Sequence, residues 1–326
     1  MDIPPRVVLR KGLFMTKRFL ALFFVLCLTL LAFCGCNRSP TEEGSTTEET
    51  SLTEAPTLTE APTDEKEPEA VLDGYFEIHF IDVGYGDAAL VICDDKTMLV
   101  DAGGSGKLIS SYLAERNITY LDYVVSTHPH SDHAGGLAGA LDAVDFGVAL
   151  SPVAQYEDKS FQRFAEKVAE KGKELTVPKV GESFALGDAT VTVLGPLHTN
   201  YEDPNDLSLI LHIVYGETSF LLTGDMEDPA EIDLMASGAD LRSTLLKVGH
   251  HGKKSSTSDI FLKAVSPVYG VISIGTQQPA EEVLARLRDA NVTLYRTDLH
   301  GNIICKSDGK ALVFQTSKTD AEKQGN

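Results

Sequence analysis

The segment Ser126-Thr-His-Pro-His-Ser-Asp-His-Ala-Gly-Gly136 sets four metal-capable side chains, His128, His130, Asp132 and His133, within six residues. An apolar run over 121–126 precedes it and an Ala- and Leu-rich run over 132–143 follows, so the motif is expected at a strand-to-helix turn. Residues two apart on extended chain project to the same side, which lets His128 and His130 face one cation together. Asp132 and His133, where the chain enters the helix, then address a second cation nearby. Imidazole with carboxylate suits Zn²⁺, Mn²⁺ or Fe²⁺, and two such ions side by side form a hydrolytic clamp. Gly135 and Gly136 let the helix start lie close to that centre. Three solvated histidines in a polar loop are the plain alternative, and the density of ligand types argues against it.

The rest of the chain supplies a frame. Strands are predicted over 77–83, 88–93, 97–100, 121–126, 190–194, 207–215, 219–222, 245–248, 269–274 and 311–315, with others near Leu294 and Ile303. Helices are predicted over 107–115, 132–143, 161–171, 259–264 and 280–290. Strands in runs with helices distributed among them predict an α/β fold with a two-sheet core and helices on its outer faces. One domain over 73–316 accommodates all of it, followed by a flexible tail over 317–326.

The N-terminus reads as a targeting segment. Lys17 and Arg18 precede an apolar run from Phe19 to Phe33 that meets Cys34-Gly35-Cys36, the layout of a signal peptide over 1–36. Counted from Met15 its proportions are ordinary, so Met15 is the expected true start. The ending resembles the lipobox of bacterial lipoproteins with Cys36 as the lipidated residue, which implies an extracytoplasmic domain anchored to the membrane; a plain secretory signal is the alternative. Residues 37–72 are rich in Thr, Glu and Pro and hold ten acidic and two basic residues, with a tandem Leu-Thr-Glu-Ala-Pro-Thr repeat. Such a segment buries too little apolar surface to offset its ordering entropy and is expected to be a disordered, extended tether. Beyond it only Cys93 and Cys305 remain, too few for a disulfide framework; they are expected as two buried thiols or a single bridge.

Taken with the flanking motifs, the tetrad resembles the His-x-His-x-Asp-His signature of the metallo-β-lactamase superfamily. Phe80-Ile-Asp-Val-Gly-Tyr-Gly-Asp-Ala88, Val100-Asp-Ala-Gly-Gly104, Leu222-Thr-Gly-Asp-Met226 and Lys247-Val-Gly-His-His-Gly252 are similar to the extracellular hydrolase domain of DNA-internalisation competence proteins of the ComEC type. The resemblance implies an αββα four-layer sandwich and two divalent ions, with Zn²⁺ the first candidate and Mn²⁺ the alternative. It implies that Asp225 bridges the ions and that one of His250 and His251 completes the second metal position, with His250 preferred and the other left for substrate. His198 is a further candidate ligand. Asp82, Asp87 and Asp101 are candidates for orienting ligands, Asp101 above all as an acceptor from a ligand histidine. Asn205 and Ser208 are candidates for lining the site. Tyr85 departs from the Gly-Gln-Gly that relatives commonly carry.

Lys253, Lys254 and Ser255 follow the paired histidines and offer charge and hydroxyl to a phosphate. The expected reaction is hydrolysis of a phosphodiester by a metal-activated water, with Asp132 as its partner and His250 or His251 aiding the leaving oxygen. Extracellular DNA is the first expected substrate. An envelope phosphodiester of the teichoic-acid type, or a β-lactam or lactone, are rivals, and a non-enzymatic metal-binding module comes last. Charge weighs on this choice: 28 Lys and Arg against 48 Asp and Glu give −20, which disfavours a broad cationic groove for a polyanion. Positive charge must then be supplied locally.

Overall fold

Alternation in the first strands decides the architecture. In β1 (Phe76–Phe80) the side chains of Phe76, Ile78 and Phe80 enter one apolar cluster, while His79 turns to the opposite face. β2 (Ala89–Cys93) is buried on both faces: Ala89, Val91 and Cys93 join that cluster, and Leu90 and Ile92 join a second. A strand apolar on both faces belongs to the middle of a layered structure. The computed structural model describes residues 75–318, all within one compact unit.

After β3 (Lys96–Val100) come α1 (Gly106–Glu115), β4 (Tyr120–Val125), α2 (Ser131–Ala134), α3 (Leu137–Ala143), β5 (Asp145–Leu150), α4 (Lys159–Glu170) and β6 (Leu175–Thr176). The second half begins with β7 (Ser183–Leu186), β8 (Ala189–Gly195), β9 (Ile210–Tyr215), β10 (Thr218–Leu222), α5 (Asp228–Ala236) and β11 (Leu245–Lys247). It closes with α6 (Asp259–Val265), β12 (Tyr269–Ile272), α7 (Glu281–Asp289), β13 (Thr293–Arg296), α8 (Thr297–His300), β14 (Ile303–Ser307) and β15 (Leu312–Thr316). One sheet has the order β15-β14-β1-β2-β3-β4-β5-β6 and the other β13-β12-β11-β10-β9-β8-β7.

Three apolar clusters separate four layers. Between the sheets, Phe76 of β1 stacks on Phe220 of β10 with ring centroids 4.7 Å apart; a fully buried side chain of this size contributes about 1.5–3 kcal/mol. Outside the first sheet lie Ile109 of α1, Leu137 of α3 and Phe161 of α4. Outside the second lie Leu234 of α5, Phe261 of α6 and Leu287 of α7. The fold is therefore the αββα sandwich. Cys93 and Cys305, on the strands flanking β1, are buried free thiols.

Several boundaries differ from expectation for local reasons. The helix expected over 132–143 is two, α2 and α3, broken at Gly135-Gly136, where a side chain on Gly136 would come within 2.1 Å of the Ala102 carbonyl. α4 begins earlier because the Asp158 carboxylate accepts from the amides of Ser160 and Phe161, a cap worth about 1 kcal/mol. The strand expected from 207 begins only at Ile210, after a 3₁₀ turn over Pro204–Leu207. β5, β6, β7, α5 and α8 were not expected. The signal segment with Met15 and Cys36, the tether over 37–72 and residues 319–326 lie outside the described residues. Among the described residues no helix is long and apolar enough to cross a membrane.

β3 to β6 run parallel, as do β10 to β13. Sites in such sheets form beyond the carboxyl ends of parallel strands, and here β4, β10 and β11 release their chains into one cluster.

Candidate metal centre

β4 ends at Val125, and the loop beyond it carries His128 and His130 before α2 takes up Asp132 and His133. β10 ends at Leu222, and Thr223-Gly224 leads to Asp225. Gly224 is required there: its φ is +51°, and a Cβ would lie 2.8 Å from Ser208 Oγ and 3.0 Å from Thr127. β11 ends at Lys247, and the turn Gly249–Gly252 carries His250 and His251, both with left-handed backbone at φ 45° and 53°.

Asp225 lies at the middle. Its Oδ1 is 3.2 Å from His133 Nε2, and its Oδ2 is 3.4 Å from the Nε2 atoms of both His250 and His251 and 3.9 Å from His128 Nε2. His128 Nε2 is in turn 3.1 Å from His130 Nδ1. On the other side, Asp132 Oδ2 stands 3.4 Å from His251 Nε2 and 4.0 Å from His133 Nε2. Two donor groups thus share one carboxylate: His128 and His130 in the first, Asp132, His133 and His251 in the second.

Outer partners orient the rings. His133 Nδ1 faces Asp101 Oδ2 at 2.8 Å, and the same carboxylate accepts from the Thr127 amide and hydroxyl. His251 Nδ1 donates to the Ser273 carbonyl at 2.9 Å. With Nδ1 turned to these acceptors, the Nε2 atom of each ring points into the cluster. Burial, with His133 adding to it, pulls His128 well below the ordinary imidazole range. For His133 burial acts the same way, but Asp225 and Asp101 outweigh it and hold its pKa well above that range. Burial would raise Asp225, yet His133 and His251 keep it well below the usual carboxylate range.

A cation fits this arrangement. Donor atoms of Asp87, His133, Asp225 and His251, all buried, lie within 4.8 Å of one another. Asp87 Oδ1 and Asp225 Oδ1 are buried with no hydrogen-bond partner, and buried acceptors of this kind call for compensation.

His250, the residue preferred for the second position, and His251 lie equally near Asp225 Oδ2, and it is His251 whose donor atom converges with those of Asp87 and His133. Neither residue lies on β11; in the left-handed turn it is His251 that aims Nε2 at Asp132 and His133, while His250 turns Nδ1 to Glu227 Oε1 at 2.7 Å and Nε2 to Lys253 Nζ at 2.6 Å. His198 is not brought in: its side chain is 57% exposed and faces Asp233 at 3.6 Å. Asp82 is also turned away, accepting from the Gly84 amide and pairing with Lys318. Asp87, expected only as an orienting group, is among the converging donors. Ser208 Oγ accepts from the Asp225 amide at 3.0 Å and lies 3.5 Å from His128 Nδ1; Asn205 is buried nearby on the 3₁₀ turn. Lys253 reaches the site edge, but Lys254 is 70% exposed and paired with Glu282 at 2.7 Å. Ser255 donates to Glu227 Oε1 at 2.6 Å. Glu227 escaped sequence reasoning, although its place two residues after Asp225 was the available signal.

A four-layer sandwich with an Asp/His cluster beyond its parallel strand ends defines a class of metal-dependent hydrolases. The chain belongs to the metallo-beta-lactamase superfamily, whose pattern matches residues 81–276. It is 31% identical over 242 residues to the competence protein ComA of Neisseria gonorrhoeae, covering 72% of this chain and 33% of that one. With ComE operon protein 3 of Bacillus subtilis (strain 168) it shares 27% identity over 251 residues, covering 70% of this chain and 32% of that protein. The chain spans about a third of the length of these relatives. Among solved structures, the metallo-beta-lactamase fold protein YhfI of Bacillus subtilis matches with a TM-score of 0.50 at 13% identity, covering 72% of this chain and 100% of that one.

Proposed function

We propose that the chain is an exported, metal-dependent phosphodiesterase that cleaves extracellular DNA or a chemically related phosphodiester. The observation that carries this reading is Asp225, one carboxylate shared by two histidine-rich donor groups. Divalent ions bound there, Zn²⁺ first and Mn²⁺ second, would supply Lewis acidity that lowers the pKa of a water towards neutrality and stabilises charge on a phosphoryl oxygen. His128 and His130 with Asp225 would hold one ion, and Asp132, His133 and His251 with Asp225 would hold the other. Asp101 and the Ser273 carbonyl fix the ring orientations. Asp132, the most open of the carboxylates in the cluster, is placed to take a proton from water. His250, held by Glu227, and Lys253 beside it form the edge that meets the phosphate and the leaving oxygen.

Similarity to competence proteins favours DNA over β-lactams and lactones. Export and a lipid anchor at Cys36 rest on the sequence over 17–36, and the acidic segment over 37–72 would hold the domain away from an anionic surface. An envelope phosphodiester of the teichoic-acid type is the rival substrate in that location.

The purified chain, loaded with Zn²⁺ or Mn²⁺, is assayed in parallel on bis(p-nitrophenyl) phosphate, single- and double-stranded DNA, a glycerol-phosphate polymer and nitrocefin. Turnover of the phosphodiesters and not of nitrocefin is expected. Nitrocefin hydrolysis without phosphodiesterase activity would overturn the proposal, and cleavage of the polymer alone would exchange DNA for the envelope substrate.

A further inference from the structure

Lys247 closes β11, and alternation along that strand sets its direction. Leu245 points between the sheets and Leu246 towards the outer helices, so Lys247 points between the sheets again. There its side chain is only 5% exposed, with Nζ 2.9 Å from Asp87 Oδ2 in the loop before β2, and donating to the Val248 carbonyl at 2.9 Å. Phe80, Val100 and Leu222 line the same space. Desolvating both charges is expensive, and an apolar pair of similar size is often at least as stable. Stability alone therefore does not explain a lysine here.

The other oxygen of Asp87 suggests what does. Oδ1 is buried without a hydrogen-bond partner, 3.3 Å from a His251 Nδ1 whose proton is committed to Ser273. It belongs to the group of donors that converges with His133, Asp225 and His251.

We propose that Lys247 is a positioning residue of the metal centre, holding Asp87 so that a single oxygen faces the cluster and cancelling the charge of the other. The proposal rests on reading the cluster as a metal centre. Its consequence is selectivity. With Asp87 neutralised from behind, the second donor group behaves as richer in nitrogen and poorer in negative charge than its carboxylates suggest, which suits Zn²⁺ over Mn²⁺. Without the lysine, Asp87 brings its full charge and both oxygens to the site.

The test is competition between Zn²⁺ and Mn²⁺ for the metal-stripped full chain, read by elemental analysis, together with the visible spectrum of the Co²⁺-loaded protein. Lys247→Met is expected to move the preference towards Mn²⁺ by about tenfold, the lower end of what partners outside the ligand shell do, and to change the Co²⁺ spectrum. Asp87→Asn should move the preference the opposite way, and Lys247→Arg should keep the wild-type ratio. A folded Lys247→Met protein with unchanged ratio and spectrum overturns the proposal, as does a Lys247→Arg protein altered as much as Lys247→Met. If Lys247→Met fails to fold, the double variant Lys247→Met/Asp87→Asn, which leaves neither charge unpaired, is read in its place: a changed Co²⁺ spectrum is expected, and an identical one overturns the proposal. Wild-type protein that binds neither ion would instead remove the metal-centre reading itself.

Discussion

Asp225 Oδ2 stands 3.4 Å from His251 Nε2, although one residue follows β10 and the other lies in a left-handed turn beyond β11. His133 faces its other oxygen, and His128 Nε2 lies 3.9 Å from Oδ2, so Asp225 stands against both donor groups. Asp225→Asn keeps the size and removes the charge, so on the proposed two-ion phosphodiesterase reading both metal equivalents should fall together and activity should drop by about 100-fold or more. Elemental analysis of the variant checks this, and retention of one full equivalent would show that the carboxylate is not shared.

Asp101 touches no converging Nε2 atom, yet it fixes the ring of His133 and the Thr127 backbone. Asp101→Asn should weaken metal affinity by about 10–100-fold while far-UV circular dichroism stays unchanged. Calorimetric titration with Zn²⁺ measures the first quantity. An affinity equal to that of the wild type would reduce Asp101 to a loop anchor.

Gly86 has a φ of +124°, and a Cβ there would lie 2.1 Å from the Asp132 carbonyl. Gly86→Ala must displace either the loop before β2 or the start of α2. A loss of about 2 kcal/mol or more is expected, hence a melting temperature lower by about 5 °C or more, accompanied by reduced metal content. A variant that melts with the wild type would mean that the two segments are not held in register.

Acid stability offers a test away from the metal centre. A hydrogen bond from His79 is the largest cause of a Glu77 carboxyl pKa held at about 2, against 4.5 ordinarily. A carboxyl depressed in the fold contributes stability that is fully present above its unfolded value and is lost as pH falls from 4.5 towards 2. Urea midpoints of wild type and Glu77→Gln should therefore diverge at neutral pH and converge near pH 2, with a difference of about 2 kcal/mol at pH 7. Parallel pH profiles would show that this contact carries no such linkage.

How far these features could be read in advance depended on distance along the chain. His128, His130, Asp132 and His133 were legible because four metal-capable side chains fall in one short segment, and the central strands because their apolar runs are unbroken. β5 was obscured by Gly147 within Asp145–Leu150, β6 is two residues long, and the apolar residues of α5 do not gather on one face. The choice between His250 and His251 turned on backbone signs that two adjacent histidines do not announce. Asp87 and Lys247 acquire their relation only when the two sheets close on each other, and no local pattern encodes it.

That closure has a further consequence. His128, His130, Asp132 and His133 follow a strand of one sheet, while Asp225 and His251 follow strands of the other. A nascent chain with only its first sheet folded holds an incomplete chelate and should capture ions weakly. Tight metal retention, if the cluster binds ions as proposed, would then distinguish a finished sandwich from a half-built one.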